Sequence, residues 1–196
     1  FSERNGVDIK KVINAITMRP THSNMIFPGP GIGGYCLPKD GGLGHWSYNN
    51  ILGFNDDIFK ITPLAIDIND TRGIHAALMA RDALSNLGME ITNSTILVCG
   101  ASYRQDVGDT RYSGSEIIIR KLTEMGAKIR THDPYVTKWP EFENQDIDEH
   151  TKKNFFKNQN SLSKISVSSD LHQSLENVDA VILAVPHSEY LSLNPE

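Results

Sequence analysis

The stretch Thr95-Ile-Leu-Val-Cys-Gly100 decides the fold of this 196-residue chain. It is a short apolar run that ends in glycine, a pattern typical of a buried parallel strand. Residues 128–133 and 179–185 are two further runs of this kind. Residues 113–125 have an amphipathic helical pattern, and Asp170 is placed to cap a short helix. Because strands that alternate with helices are joined by right-handed crossovers, the sequence predicts an α/β fold with a Rossmann-like parallel sheet.

The part of the chain before this strand is predicted to be helical. Residues 7–18 place apolar side chains on one helical face, and a longer pattern covers residues 58–87. Gly88 is placed to end the longer helix, which Pro63 or Gly73 can kink or divide. We therefore expect one long helix before the sheet.

These patterns predict two domains. A central helical domain covers residues 1–92 and contains a glycine-rich loop at 27–40, and a Rossmann-like domain covers residues 93–196. Residues 136–164 form a polar insert, which we expect to be a surface excursion. Residues 1–6 are typical of the last turn of a helix with its closing glycine, so we expect the chain to be a fragment.

Composition excludes several classes of protein. The formal net charge of -5 argues against a nucleic-acid surface, because phosphate binding requires clustered lysine and arginine. No run approaches the ~18 apolar residues that a membrane helix needs, so we expect no membrane partner. Neither the two cysteines, Cys36 and Cys99, nor the seven histidines show metal-ligand spacing. We expect a protein of the reducing cytoplasm without a bound metal.

The two cysteines lie in different surroundings. Cys99 lies within the apolar strand, where an inert core thiol is the ordinary expectation. Cys36 instead follows Gly31, Gly33 and Gly34. Glycines at these positions let a backbone approach a ligand closely and leave the thiol accessible. Cys36 is therefore the candidate nucleophile.

Two charged residues follow Cys36 closely in the sequence. Lys39 can favour the thiolate, which is the reactive form of cysteine. Asp40 can orient a water molecule, or stabilise an anionic intermediate through its own proton. On these residues alone, a reactive thiol and an inert one both remain open at Cys36.

Four stretches in register resemble one known family. Gly31-Ile-Gly-Gly-Tyr-Cys-Leu-Pro-Lys-Asp40 is similar to the active-site loop of the UDP-glucose/GDP-mannose dehydrogenases. Gly100-Ala-Ser-Tyr-Arg-Gln-Asp-Val-Gly-Asp-Thr-Arg-Tyr-Ser113 resembles the family's second motif, an aromatic-lysine pair followed by Asp-Thr-Arg-x-Ser. His132-Asp-Pro-Tyr135 and Asn69-Asp70 match two shorter signatures. The resemblance covers nearly the whole chain and implies a helical dimerisation segment followed by a Rossmann-like UDP-binding domain.

The resemblance also implies a reaction. The family oxidises the C6 alcohol of a nucleotide sugar to a carboxylate, with two NAD and four electrons. Cys36 would add to the intermediate aldehyde as a thiohemiacetal, and a second oxidation would give a thioester, so that covalent catalysis divides one difficult step into easier ones. Asp40 would assist the water that hydrolyses the thioester.

The remaining site residues follow from the same resemblance. Lys39 and Arg111 correspond to cofactor contacts, and Tyr103 and Arg104 to the pair that holds the nucleotide sugar. Gly31, Gly33 and Gly34 are the other expected substrate-binding residues. Arg104 replaces the family's lysine, and a planar fork is not equivalent to a point charge. An ion pair of Arg111 with Asp106 or Asp109 is the structural alternative to its cofactor role.

Features outside the chain are implied as well. The family binds NAD mainly through an N-terminal domain that precedes the region of resemblance, so we expect this polypeptide to be inactive alone. The central helices should form a homodimer, and a neighbouring subunit should contribute an arginine at or near Arg19. Lys39 after Pro38 is typical of the UDP-glucose and GDP-mannose branches, and Pro28-Gly-Pro-Gly31 of the branch for N-acetylated UDP-sugars.

Two other functions compete with this hypothesis. The first is a non-catalytic nucleotide-binding or oligomerisation module of the same fold, which Arg104 and the helix-breaking Gly41-Gly42 favour. The second is a thiol hydrolase that pairs Cys36 with His45, the histidine nearest in sequence. That reading leaves the downstream sheet pattern without a purpose.

Overall fold

A computed structural model describes residues 2–56, 58–143 and 159–193, apart from the side chain of Asn160. The helices are α1 (Ile9–Thr17), α2 (Asp40–Asn50), α3 (Ile61–Asp70), α4 (Arg72–Asn86), α5 (Gly114–Glu124), α6 (Pro140–Glu143) and α7 (Leu171–Leu175). The strands are β1 (Thr95–Cys99), β2 (Lys128–His132), β3 (Val167–Ser168) and β4 (Ala180–Leu183). Short 3-10 turns complete the described segments.

The four strands form one parallel sheet in the order β3-β2-β1-β4. The predicted α/β fold with a parallel sheet is therefore confirmed. The sequence analysis missed β3, because its two residues lie among serines and carry no apolar run. From β1 the chain adds β2 and β3 on one side and then places β4 on the other side. The topological switch point therefore lies between β1 and β4, and α/β sheets bind ligands at the carboxyl ends of the strands at such a point.

The side chains of β1 alternate between two apolar layers. Ile96 and Val98 pack into the core that α4 and α5 cover, whereas Leu97 and Cys99 pack beside Tyr190 on the opposite face. These β1 side chains are at most 1% exposed, and burying each large one stabilises the fold by about 1.5–3 kcal/mol. Both faces of the sheet are therefore covered at β1, as is usual for a parallel sheet, whereas Val181 and Leu183 of β4 are exposed.

Side-chain caps fix where the predicted helices begin. The Ser113 hydroxyl accepts a hydrogen bond from the Ser115 N–H at the start of α5. Asp170 accepts one from the Gln173 N–H at the start of α7, as predicted. Each cap supplies a partner for a backbone N–H that has none inside its helix. Gly126 follows α5 with a φ of 91°, which glycine adopts without strain.

The single long helix expected over residues 58–87 is wrong: α3 and α4 are separate helices that meet at Thr71. Pro63 lies in the first turn of α3, where a missing N–H costs nothing. Gly73 lies inside α4 and serves close packing, since a Cβ atom there would come within 2.7 Å of the Ile117 side chain. The second half of the pattern, α4, thus packs against α5 and shares the core of the sheet.

The expectation of a polar surface excursion at 136–164 is wrong for its described parts. Trp139, Phe142 and Leu162 are at most 2% exposed and belong to the core beside α5. Arg120 of α5 lies over the Phe142 ring, 5.1 Å from its centroid. The interior of the segment, residues 144–158, lies outside the described residues.

Within the described ranges, no helix combines the length and the apolar character needed to cross a bilayer. Most of the large apolar side chains that are exposed lie before residue 93. They include Ile61, Leu64 and Ile68, which are 80%, 59% and 51% exposed and share one face of α3.

Candidate active site

The loop that carries Cys36, residues 27–39, contains no helix or strand, as its proline and glycine content predicts. It ends where α2 begins at Asp40. The Cys36 carbonyl accepts hydrogen bonds from the Lys39 N–H at 3.2 Å and the Asp40 N–H at 2.9 Å. The Cys36 residue itself is exposed. A tight turn at the amino end of a helix thus presents the thiol to solvent.

One side of the Cys36 loop packs against the segment that follows β1. Gly33 leaves no room for a side chain, since a Cβ atom would lie 2.6 Å from both the Tyr103 Cβ and the Tyr112 carbonyl oxygen. Gly34 has a φ of 87° and lies under the Tyr103 ring. Its N–H donates to the Arg111 carbonyl at 2.8 Å. The structure therefore brings together the Cys36 loop, Tyr103 and Arg111, which are about 70 residues apart in sequence.

The other side of the Cys36 loop is bound by Asn69 at the end of α3. The Ile32 N–H donates to Asn69 Oδ1 at 2.7 Å, and Asn69 Nδ2 donates to the Ile32 carbonyl at 2.8 Å. The Asn69 side-chain amide thus both accepts from and donates to the backbone of Ile32, as the backbone of a neighbouring strand does in a sheet. Gly31 has a φ of 126°, and a Cβ atom there would lie only 3.1 Å from the Asn69 carbonyl oxygen, so glycine suits this close approach. The sequence marked Asn69 by resemblance, but its bonding partner is visible only in the structure.

Two cations, Lys39 of the Cys36 loop and Arg111 of the segment after β1, lie over the ring of Tyr35, the residue before Cys36. Lys39 Nζ bonds Asp40 Oδ1, and this hydrogen bond raises the pKa of Lys39 above its usual value. Arg111 donates from Nε and Nη2 to the carboxylate of Asp109, with Nη2 2.6 Å from Oδ2. That pair lowers the pKa of Asp109. Arg111 therefore forms the predicted structural ion pair, and its cofactor role stays a prediction.

Tyr103 and Arg104 lie just beyond the carboxyl end of β1, beside the end of β4. Tyr103 is half-buried against the glycines of the Cys36 loop, and its N–H donates to the Asp109 carbonyl at 2.8 Å. Arg104 is exposed and forms no hydrogen bond or ion pair within the described part of the chain. A cation without a partner at the switch point of the sheet is available to an anionic ligand.

A buried network that the sequence analysis missed shapes the same edge of the sheet. His187, fully buried after β4, accepts a hydrogen bond from the Asp106 N–H at Nδ1, 2.9 Å away. The Asp106 carboxylate in turn accepts from the Ser188 N–H at 2.9 Å and the Ser188 hydroxyl at 2.6 Å. Asp106 has a φ of 55°, a conformation that these bonds maintain. The loop that carries Tyr103 and Arg104 is thereby tied to the end of β4.

Asp133 anchors this network at the end of β2. Its fully buried carboxylate accepts from the Ala101 and Ser102 N–H groups, the Ser102 hydroxyl and His187 Nε2. The N–H groups of residues 135 and 136 bind its other oxygen. Burial raises the pKa of Asp133, but hydrogen bonds from Ser102 and the backbone outweigh it, and the pKa lies below its usual value. The sequence signal that could have predicted this network is the presence of polar residues shortly after adjacent strands, Asp133 after β2 and His187 after β4.

The other candidates take structural roles. Cys99 is fully buried, and burial raises its pKa to about 12, so the expected inert core thiol is confirmed. His132 is buried with Nδ1 2.8 Å from the Tyr190 hydroxyl. His45 bonds Asn49 on α2 rather than Cys36, and no hydrogen bond joins the Cys36 side chain to any described residue. The thiol hydrolase dyad is not assembled.

The fold and the site together define a doubly wound α/β protein whose exposed thiol lies on a loop docked at the strand ends. Residues 1–70 match the central domain of the UDP-glucose/GDP-mannose dehydrogenase family, and residues 97–196 match its UDP binding domain. The chain belongs to the UDP-glucose/GDP-mannose dehydrogenase family. The predicted family is confirmed, and with it the coarse class of nucleotide-sugar dehydrogenases.

Relatives of two kinds are similar to the chain. A UDP-N-acetyl-D-mannosamine dehydrogenase of Pyrococcus horikoshii is 27% identical over 94% of this chain and 36% of its own length. A UDP-glucose 6-dehydrogenase of Gallus gallus is 29% identical over 69% of this chain and 27% of its own. The solved structure of an NDP-N-acetyl-D-galactosaminuronic acid dehydrogenase from Methanosarcina mazei superposes with a TM-score of 0.70 at 25% identity, over 95% of this chain and 35% of that one. The chain thus spans about a third of the length of the curated relatives it matches.

Proposed function

We propose that this chain is the central and C-terminal part of an NAD-dependent dehydrogenase that oxidises C6 of a UDP-sugar to a carboxylate. The substrate is UDP-glucose or a UDP-N-acetyl-hexosamine, since dehydrogenases named for both kinds of sugar are among the relatives. Because the chain spans about a third of those relatives, we propose that the main NAD-binding domain lies outside these 196 residues. The chain alone should then be inactive.

The observation that carries the proposal is the exposed Cys36 on a loop docked against the end of β1. The Cys36 thiolate adds to the carbonyl carbon of the C6 aldehyde, and the aldehyde oxygen takes a proton. Loss of a hydride and that proton leaves a thioester on Cys36. Water then attacks the thioester, which releases the carboxylate and restores the thiol. Asp40, whose carboxylate is half exposed at the start of α2, is placed to orient that water.

The cations beside Cys36 fit a dinucleotide. Lys39 and Arg111 come from separate segments and both lie over the Tyr35 ring, and two cations match the charge of a diphosphate. NAD, when bound, supplies the acceptor for the hydride in each oxidation. Lys39 and Arg111 would hold its anionic part, and Arg111 would do so while still paired with Asp109.

The nucleotide end of the sugar belongs at the carboxyl ends of β1 and β4. Arg104 offers a cation there that has no partner within residues 2–56, 58–143 and 159–193, and Tyr103 offers an aromatic face that packs against the Cys36 loop. Gly31, Gly33 and Gly34 stay proposed backbone contacts of the substrate; their packing against Asn69 and Tyr103 holds the Cys36 loop close to the aromatic face. Arg104 can bind a phosphate through two parallel N–H bonds, which the family's lysine cannot do.

The decisive experiment compares the full-length protein with its Cys36→Ser variant on a panel of UDP- and GDP-sugars. We expect NADH and uronate formation by the full-length protein, and a loss of at least about 10³-fold in uronate formation for the variant. A Cys99→Ala variant is the matched control and should retain activity, because Cys99 is buried away from solvent.

Two results would contradict the proposal. A fully active Cys36→Ser variant would remove the covalent step. Robust NADH production by the 196-residue chain alone would show that no further NAD-binding domain is needed.

A homodimer through the central helices is part of the proposal. The exposed apolar face of α3, formed by Ile61, Leu64 and Ile68, supports it, because such faces are normally covered in an assembly. The partner subunit would contribute an arginine to the site, for which the exposed Arg19 is the candidate. Sedimentation of the full-length protein and a Leu64→Glu variant tests the interface.

The alternative is a nucleotide-binding or oligomerisation module without catalysis. The substitution of Arg104 for lysine favours it, since the charge is kept while the geometry changes. Calorimetric binding of UDP to a full-length protein that oxidises none of the sugars would support this alternative and exclude the dehydrogenase.

A further inference from the structure

Tyr35, immediately before Cys36, is a large aromatic side chain that is 54% exposed. Two cations lie over its ring. Lys39 Nζ is 4.3 Å from the ring centroid, and the Arg111 guanidinium carbon is 4.9 Å from it. The two cations come from different parts of the chain, one from the Cys36 loop and one from the segment between β1 and α5.

The backbone on either side of Tyr35 is held in place. Gly34 is buried, and its N–H donates to the Arg111 carbonyl at 2.8 Å. The Cys36 carbonyl is bound by two N–H groups at the start of α2. The ring is therefore attached between two anchored residues, directly beside the segment that carries Arg111.

Each cation also has its own carboxylate. Lys39 bonds Asp40, and Arg111 bonds Asp109. Both cations are charged at neutral pH at their ordinary pKa values, and these hydrogen bonds raise the pKa of Lys39 and of Arg111 further. Neither carboxylate contacts both cations among the described residues.

Two positive side chains that converge on one point repel each other unless a negative group lies between them. An aromatic ring supplies such a group, because its face carries negative electrostatic potential. The Tyr35 ring is the group that both cations share here. The ring attracts both cations without a formal negative charge, which would compete with an anionic ligand for them.

We propose that Tyr35 is a positioning residue, whose ring holds Lys39 and Arg111 together beside Cys36 as one anion-binding unit. The inference deepens the proposed function and rests on it for the identity of the anion, a diphosphate of the cofactor or of the nucleotide sugar. The geometry predicts a positive potential at the thiol that depends on the ring and is measurable without turnover.

The test compares two alkylating agents that differ in charge. Iodoacetate is an anion and iodoacetamide is neutral, so the ratio of their rate constants at one pH cancels the thiolate fraction and reports the local potential. We expect this ratio for Cys36 to exceed that of N-acetylcysteine by about threefold at low salt. It should approach the N-acetylcysteine value in 1 M salt, where the screening length is about 3 Å. A Cys99→Ala background removes any signal from the buried thiol.

Substitutions of Tyr35 then distinguish the effect of the aromatic ring from the effect of side-chain size. Tyr35→Phe keeps the ring and should keep the ratio, whereas Tyr35→Leu keeps an apolar side chain and should lower the ratio by about threefold. Lys39→Met and Arg111→Met should each lower it as well. Circular dichroism establishes that each variant is folded, and Tyr35→Ser takes the place of Tyr35→Leu if that variant does not fold.

An unchanged ratio in folded Tyr35→Leu, or a Tyr35→Phe variant that behaves like Tyr35→Leu, would overturn the inference. Its failure is distinguishable from failure of the proposed function. If full-length Cys36→Ser is active while the ratios behave as expected, the dehydrogenase mechanism is wrong and the role of Tyr35 remains. If the ratios do not respond while Cys36 is essential, only the role of Tyr35 is wrong.

Discussion

The helical region (residues 2–92) and the sheet region (residues 93–193) differ in how they bury apolar side chains. Of the 18 buried apolar residues in the described ranges, 15 lie in the sheet region, including all of Ile96 to Cys99. Of the 26 large apolar side chains that are exposed there, 21 lie in the helical region. The sheet region thus holds most of the core, to which α4 adds Ala77 and Leu84, whereas much of the helical region presents apolar surface.

This difference teaches how the candidate site is divided. The residues expected to bind the nucleotide lie on the region with the closed core, and the nucleophile lies on the region without one. The two are joined by α4, which packs on α5, and by close contacts of the Cys36 loop. Stability should therefore depend on the sheet network, and alignment of the site on the loop contacts.

The largest effect is expected from breaking the anchor of the sheet region. Asp133→Asn replaces an oxygen that accepts several hydrogen bonds by an amide N–H, which cannot accept them. We expect the free energy of unfolding to fall by about 3–5 kcal/mol, as urea titration can measure. Asp170→Asn, at the cap of α7, is the matched control and should change stability by less than about 0.5 kcal/mol.

The same carboxylate predicts a pH dependence. Its pKa in the folded protein is lowered, so its contribution to stability is fully present above the unfolded value of about 3.9. That contribution is lost as the pH falls through the folded pKa. Equal acid sensitivity of the wild type and Asp133→Asn would show that Asp133 is not the anchor.

A smaller effect is expected at the contact between the two regions. Gly33→Ala places a Cβ atom 2.6 Å from the Tyr112 carbonyl oxygen and the Tyr103 Cβ, so the loop must move away. We expect a loss of about 2 kcal/mol from the docked loop, seen as faster hydrogen exchange at Gly34, whose N–H bonds Arg111.

Gly29→Ala provides the control in the same loop, because no atom lies within 4 Å of a Cβ at that position. It should exchange at the wild-type rate. Equal exchange in Gly33→Ala and the wild type would mean that the two regions are not joined at this point.

The smallest effect concerns the second layer of the sheet region. Burial raises the pKa of Cys99 to about 12, above the unfolded value of about 8.5. The unfolded chain therefore releases this proton first, and stability falls as the pH rises between these values. We expect a loss of about 1–2 kcal/mol between pH 8.5 and 10 by thermal unfolding. In Cys99→Ala the loss of stability between pH 8.5 and 10 should be smaller by about 1–2 kcal/mol. If the variant loses as much stability as the wild type, groups other than Cys99 cause the loss.

The sheet was predictable because its signals are local. The apolar run of β1 and the caps Ser113 and Asp170 act within a few residues of themselves. The two-residue strand β3 escaped prediction, since a bridge between serines is specified by its neighbour β2 rather than by its own side chains. The boundary at Thr71 escaped as well, because helical apolar patterns lie on both sides of it and were joined across the polar residues 69–72.

The components of the candidate site were predictable from motifs, but their contacts were not. Cys36, Tyr103 and Arg111 were expected from resemblance, and the structure brings their segments together. The hydrogen bonds of Asn69 to Ile32 and of Asp106 to His187 join residues 37 and 81 positions apart. The burial of Trp139 likewise depends on the core beside α5, which composition does not reveal.

The hydrogen bonds on both sides of the Cys36 loop carry a mechanical consequence. Asn69 holds Ile32 from the helical region, and the Arg111 carbonyl holds Gly34 from the sheet region, with one residue between the two attachment points. The one residue between the two attachment points is too short to absorb a rigid-body rotation of one region against the other. Such a rotation must either break one attachment or tilt the loop, so the direction in which Cys36 points follows the angle between the regions.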